Sequence, residues 1–194
     1  MSLVVGLGNP GARYRDTRHN VGWRVVERLV DRWSATPHAR TESYRTWSAR
    51  PEGRPVVLMM PLTFMNLSGE ALEAWKASQP LEPDELLVVA DDVYLPVGVL
   101  RLRGSGSNGG HRGLESIERT LGTSGYPRLR LGVGAVDAAG LRDHVLGEPD
   151  DDEREMLEQS IERAAEAVEC WLAEGLLVTM NRFNRRVDKE VSES

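Results

Sequence analysis

Hydrophobic and polar positions along the chain alternate between two periods, one that suits strands and one that suits helices. Leu3-Val4-Val5 is a short apolar run closed by GLGNPG, which predicts a buried first strand and a turn. Val21, Val25, Val26, Leu29, Val30 and Trp33 then recur at helical spacing, with Asn20 placed to cap the start and Thr36-Pro37 placed to end it. Residues 43–49 and 55–60 are strand-like, and the PEG between them supplies a turn. LTFMN reads as a loop, and Ser68 or Gly69 opens a helix through Trp75. Pro80 and Pro83 bracket another loop. Residues 86–90 form a continuous apolar run, the pattern of a strand buried on both faces, and the run closes on Asp91-Asp92. Residues 97–103 alternate as an exposed strand does. GSGSNGG at 104–110 predicts a mobile loop. A helix over 113–121 and a strand over 129–133 follow. A long helix over 150–175 carries Met156, Leu157, Ile161, Ala164, Ala165, Val168, Trp171 and Leu172 on one face, and its acids crowd the first turns, where the helix dipole favours them. Cys170 on that helix reads as packing.

Alternating strands and helices predict an α/β class: a single-domain three-layer sandwich with a central mixed, mostly parallel β-sheet flanked by helices. The hairpin-like stretches near 43–60 and 91–103 are the reason to expect a mixed sheet. Residues 1–184 are read as one catalytic domain and 185–194 as a polar C-terminal tail, with no internal repeat. The chain has 194 residues, 40% hydrophobic and 28% charged, which suits a globular domain able to bury its own core. Apolar runs such as VVLMMPL are too short to span a bilayer, and the N-terminus lacks the basic and apolar regions of a secretory signal. One cysteine excludes a disulfide framework and a Cys-rich zinc site. The expectation is a cytoplasmic protein without membrane association.

Charge changes the picture more by its distribution than by its total of −6. Residues 1–50 hold nine Arg against four acids, residues 101–130 hold six Arg against two, and residues 148–174 hold eleven acids against two Arg. A polyanion can therefore meet the basic segments while the acidic helix faces away. Twenty-two of the 24 basic residues are Arg, whose fork suits phosphate geometry, although genome composition also enriches Arg.

GLGNPG matches G-x-G-x-x-G directly after a strand, the pattern of a dinucleotide-binding turn. That fingerprint needs a helix opening inside the motif, yet Asn9-Pro10-Gly11 is turn chemistry and the helical period begins about ten residues later. No G-x-S-x-G, Walker lysine or H-E-x-x-H is present among the side chains, and His19, His38, His111 and His144 show no metal-ligand spacing. What remains is a set of polar side chains beside strand ends: Asn9, His19-Asn20, Asn66 and Asp91. Sites in open α/β sheets form beyond the carboxyl ends of strands, and a His with an Asp there suits a base and its orienter. Taken singly, each also has a plain reading as a helix cap or a turn former.

VVGLGNPGARYRDTRHNVG, MPLTFMNLSG, VVADDVYLPVG, GSNGGHRGLESI and RLRLGVG occur in an order and at spacings that resemble the bacterial peptidyl-tRNA hydrolase family, over residues 3 to about 184. TRHN and TFMNLSG together carry most of the specificity. The resemblance implies hydrolysis of the ester joining a peptide to the 3′ ribose of tRNA, with His19 as the base, Asp91 as its partner, Asn9 and Asn66 as positioning residues and no metal or cofactor. It implies substrate or tRNA contacts from Tyr14, Phe64, Asn20, Arg101, Arg103, Arg112 and Arg130. Peptidyl-tRNA is the implied partner, and a monomer is the expected state. Two positions depart from the family pattern: Arg112 stands where Asn is common, and Tyr94 stands where the family has a second Asp. Arg112 leaves open a non-enzymatic RNA-binding module, and GLGNPG a nucleotide-dependent oxidoreductase.

Overall fold

The computed structural model describes residues 1–134 and 140–184 of the chain. The tail expected over 185–194 lies outside the described residues. Seven strands form one sheet: β1 (Ser2–Gly6), β2 (Thr36–Arg40), β3 (Tyr44–Ala49), β4 (Val56–Pro61), β5 (Leu86–Asp92), β6 (Leu100–Arg103) and β7 (Arg128–Gly132), in the order β2-β3-β4-β1-β5-β7-β6. The central strands β4, β1, β5 and β7 are mutually parallel, and antiparallel pairing is confined to β2–β3, β3–β4 and β6–β7 towards the edges. The sheet is thus mixed and mostly parallel, as the pattern predicts.

Among the described residues six α-helices accompany it: α1 (Val21–Arg32), α2 (Ser68–Lys76), α3 (Arg112–Leu121), α4 (Leu141–Leu146), α5 (Asp151–Glu174) and α6 (Leu176–Phe183). Successive strand residues point to opposite faces. Val4 therefore joins Val25, Leu29, Ile161 and Val168 under α1 and α5, whereas Leu3 and Val5 join Leu72, Leu114 and Ile117 under α2 and α3. Both faces being covered explains why β1, β4 and β5 read as unbroken apolar runs.

Three local expectations change. The segment after α1 does not simply turn: Thr36–Arg40 adds an outer strand whose pattern is almost wholly exposed, so no apolar alternation announced it. The alternation over 97–103 yields a strand only at Leu100–Arg103, because Leu95 and Val99 are taken up by turn hydrogen bonds to Asp92 and Pro96. The Gly/Ser-rich loop at 104–110, expected to be mobile, is fastened by side chains: Arg128 donates to the Gly106 carbonyl at 2.7 Å, Arg130 to that of Asn108 at 3.1 Å, and the Asn108 amide to Glu118 at 2.8 Å.

The acidic helix also behaves differently from the expectation that it faces away. It packs against α1, where Glu158, Glu162 and Glu169 receive Arg24, Arg28 and Arg32, with Arg32 2.9 Å from Glu169. Trp33 adds an indole N–H to Glu169 at 2.9 Å. Much of the first basic segment is therefore neutralised inside the fold.

Candidate active site

β1 and β5 are neighbours whose connections leave in opposite directions, β1 towards the β4 side and β5 towards β7. Such a reversal opens a crevice at the carboxyl ends of the strands. A cleft of about 500 Å³ lies there, lined by Asn9, His19, Met65, Asn66, Asp91, Asp92, Tyr94, His111, Arg112, Arg130 and the α4 residues Val145 and Leu146, among others.

The glycines of GLGNPG serve this geometry through packing. A Cβ on Gly8 would stand 2.6 Å from the Trp23 ring, and one on Gly22 would stand 2.6 Å from the Leu7 backbone, so α1 can lie tight against the end of β1 only without them. No helix opens within the motif: a single 3-10 turn at Ala12–Tyr14 follows it. The glycines bring a helix close, not a pyrophosphate, which removes the basis for the dinucleotide reading.

His19 sits in a one-turn 3-10 helix, Arg18–Asn20, that leads into α1. Its Nδ1 is 2.7 Å from Oδ1 of Asp91, the penultimate residue of β5. The same oxygen is 2.9 Å from Nε2 of His111, and the two rings are 5.1 Å apart. His111 caps α3, and its Nδ1 accepts the N–H groups of Gly113 and Leu114 at 3.1 and 3.2 Å. A ring nitrogen that accepts two backbone N–H bonds holds a lone pair, so Nε2 of neutral His111 carries the proton and donates to Asp91. The carboxylate is only 1% exposed and ionised. Burial pushes its pKa up, but the electrostatic attraction and hydrogen bonds of the two imidazoles, His19 and His111, hold it well below the usual carboxylate range. For His19, burial pushes the pKa down, and the Asp91 charge and hydrogen bond outweigh it, leaving the imidazole raised.

The donor atoms of His19, Asp91 and His111 lie within 4.8 Å of one another, close enough to be tested as a metal set. The set fits a metal poorly. His111 would have to surrender the Nε2 proton while its Nδ1 still accepted two N–H bonds, which makes it an imidazolate.

Asn9 follows β1. Its side-chain oxygen accepts the Met65 N–H at 2.9 Å, and among the described residues nothing accepts from its amide NH2 at the cleft. Asn20 stands at the N-cap position of α1 but does not cap it. It is 1% exposed, and its amide bonds both backbone groups of Asn9, at 2.9 and 3.0 Å. Asn66 is exposed on the cleft in the 3-10 turn after β4. Arg18 is buried and ties this turn to the α4 wall: it donates to the carbonyls of His144 and Glu148 at 3.3 and 2.9 Å and pairs with Glu153.

Of the eleven residues expected at the site, the cleft gathers Asn9, His19, Asn66, Asp91, Arg112 and Arg130. Tyr14 and Phe64 lie outside its lining, with Phe64 exposed and Tyr14 beneath the Arg13 guanidinium. Arg101 and Arg103 are exposed on edge strand β6, directly opposite Arg130 and Arg128 of β7. Like charges paired across strands repel. Here the inner two are answered by acids, with Arg130 3.1 Å from Asp92 and Arg128 3.0 Å from Glu118. Among the described residues no carboxylate pairs with Arg101, Arg103 or Arg112. The sequence pattern assigns no role to His111 or Arg18, which the fold places at the site and behind it. The available signal for His111 was a histidine between a Gly-Gly pair and a helical period, a capping position.

The model of the peptidyl-tRNA hydrolase family matches residues 3–192. A peptidyl-tRNA hydrolase of Desulforamulus reducens is 43% identical over 186 residues, covering 96% of this chain and 90% of that protein. One from a Synechococcus strain is 47% identical over 191 residues, covering 95% and 83%. The crystal structure of peptidyl-tRNA hydrolase from Acinetobacter baumannii superimposes with a TM-score of 0.89 at 32% identity, covering 95% of this chain and 94% of that one.

Proposed function

The chain belongs to the peptidyl-tRNA hydrolase family, and from that premise we propose that His19 is the general base that activates water against the ester between peptide and tRNA. The reaction frees tRNA from peptides left by stalled or aborted translation. One observation carries the mechanism: Asp91 accepts from both imidazoles, and the tautomer of His111 is set from behind by α3. With Nδ1–H of His19 directed at Asp91, its Nε2 holds the lone pair that takes a proton from water. The ester is already an activated acyl group, so water suffices as nucleophile. The carboxylate holds the tautomer and stabilises the imidazolium that forms.

Asn66 supplies an amide for the water or the carbonyl oxygen, where a donor aimed at the developing oxyanion is worth roughly 3 kcal/mol. Asn9, clamped by Asn20, offers its NH2 to the peptide side, with Phe64 and Tyr14 as outer contacts. Arg101, Arg103 and Arg112 meet RNA phosphates, and Arg130, engaged by Asp92, shapes the cleft wall between them. No cofactor enters this scheme.

Hydrolysis of an N-blocked aminoacyl-tRNA tests it. His19→Ala is expected to lower kcat roughly 10²- to 10⁴-fold while tRNA affinity stays within about 2-fold; full turnover by the variant removes His19 as base. The pH profile tests Asp91. A base must be neutral, so the raised pKa of His19 places the acid limb above that of a free imidazole. Asp91→Asn removes the charge that raises it and leaves burial, so the acid limb moves to lower pH while kcat falls by on the order of 10². An acid limb that stays put shows that Asp91 does not set the proton affinity of His19.

A further inference from the structure

Tyr94 stands at the rim of the cleft with a relative exposure of 67%, although Asp92 and Leu95 on either side of it are 3% and 2% exposed. Its backbone is firmly mounted. The Tyr94 N–H donates to Oδ1 of Asp92 at 2.8 Å, and Oδ2 of the same carboxylate lies 3.1 Å from Nε of Arg130. Leu95 N–H returns to the Asp92 carbonyl at 3.4 Å, and Leu95 packs over Gly132. The ring itself has no ring or cation partner among the described residues. A fixed turn therefore presents a large flat side chain that does nothing for the core.

Its place in the fold says which part of a substrate it meets. Tyr94 lies on the connection from β5 to β6, on the half of the cleft that also holds Arg130 of β7. Asn9 and Asn66 follow β1 and β4, on the other half. We propose that Tyr94 is the stacking platform for the unpaired 3′-terminal nucleobase of the tRNA. This rests on the reading of the cleft as the peptidyl-tRNA ester site. The scissile ester is on the terminal ribose, so when the ester faces His19 the base of that same nucleotide must lie against the cleft wall. An aromatic face accepts any base without hydrogen-bond readout.

The test is a cycle between the ring and the base. Deacylated acceptor-stem minihelix RNA, with and without its 3′-terminal adenosine, is titrated by fluorescence anisotropy against the wild type, Tyr94→Phe and Tyr94→Ala. The wild type and Tyr94→Phe are expected to bind the complete RNA roughly 10-fold more tightly than the shortened one, and Tyr94→Ala to bind both alike. In hydrolysis of the N-acetylated aminoacyl minihelix, Tyr94→Ala raises KM by a similar factor with kcat preserved, and Tyr94→Phe restores it. A contribution of the terminal adenosine that is the same in wild type and Tyr94→Ala overturns the proposal, as does Tyr94→Phe behaving like Tyr94→Ala. A KM defect that vanishes for a formylglycyl ester and grows with peptide length assigns the ring to the peptide instead. Loss of hydrolysis in the wild type would strike the ester reading while the RNA titration still decided the stacking.

Discussion

Two regions of this molecule are rich in arginine, and they spend it in opposite ways. On α1, Arg24, Arg28 and Arg32 lie against the glutamates of α5, so the positive charge is matched within the fold. At the β6–β7 edge, Arg128 and Arg130 are matched by Glu118 and Asp92, but among the described residues no carboxylate matches their cross-strand neighbours Arg103 and Arg101, or Arg112 at the start of α3. The sequence shows an excess of arginine over acids in both segments. What separates them is whether an acidic element packs alongside. An arginine with its carboxylate in place has little to gain from a phosphate, whereas one held opposite another arginine is relieved by it.

The sharpest way to break this contrast is to reverse the charge where it is unmatched. The double variant Arg101→Glu, Arg103→Glu is expected to weaken tRNA binding roughly 100-fold at low salt and to reduce the slope of log Kd against log salt by about 2, one for each lost phosphate contact. Its kcat at saturating substrate stays near that of the wild type, because the strand lies away from His19. Unchanged affinity and unchanged slope would mean that RNA reaches the cleft by another face.

How much of this was legible beforehand follows the same division between local and distant causes. The apolar runs of β1, β4 and β5 and the helical period of α1 are local signals, and the fold honours them because each run is buried by elements on both faces. The pairing of His19 with Asp91 was legible only because both residues stand at strand or helix ends and within motifs that resemble a known family. His111 left almost no trace, since its role depends on α3 beginning one residue later and on β5 ending nearby. The fastening of the 104–110 loop depends on Arg128, Arg130 and Glu118, distant from it in sequence. Likewise Thr36–Arg40 pairs as a strand without any apolar alternation, because an edge strand needs a neighbour's backbone more than a buried face.

The matched region allows a subtler test of the contrast. Arg28 and Glu162 are both partly exposed, with side-chain exposures of 38% and 40%, so water and salt screen their attraction. A double-mutant cycle with Arg28→Gln, Glu162→Gln and the double variant is expected to give a coupling of about 0.2–1 kcal/mol in thermal unfolding, and the coupling should shrink as salt is added. Because Glu162 also receives Arg32, and Arg28 also approaches Glu158, each single loss is partly absorbed by the remaining partner. RNA affinity should not move in any of the three variants. If Arg28→Gln weakens tRNA binding as strongly as a change at Arg101 does, the arginines of α1 are not spent inside the fold, and the division between the two regions fails.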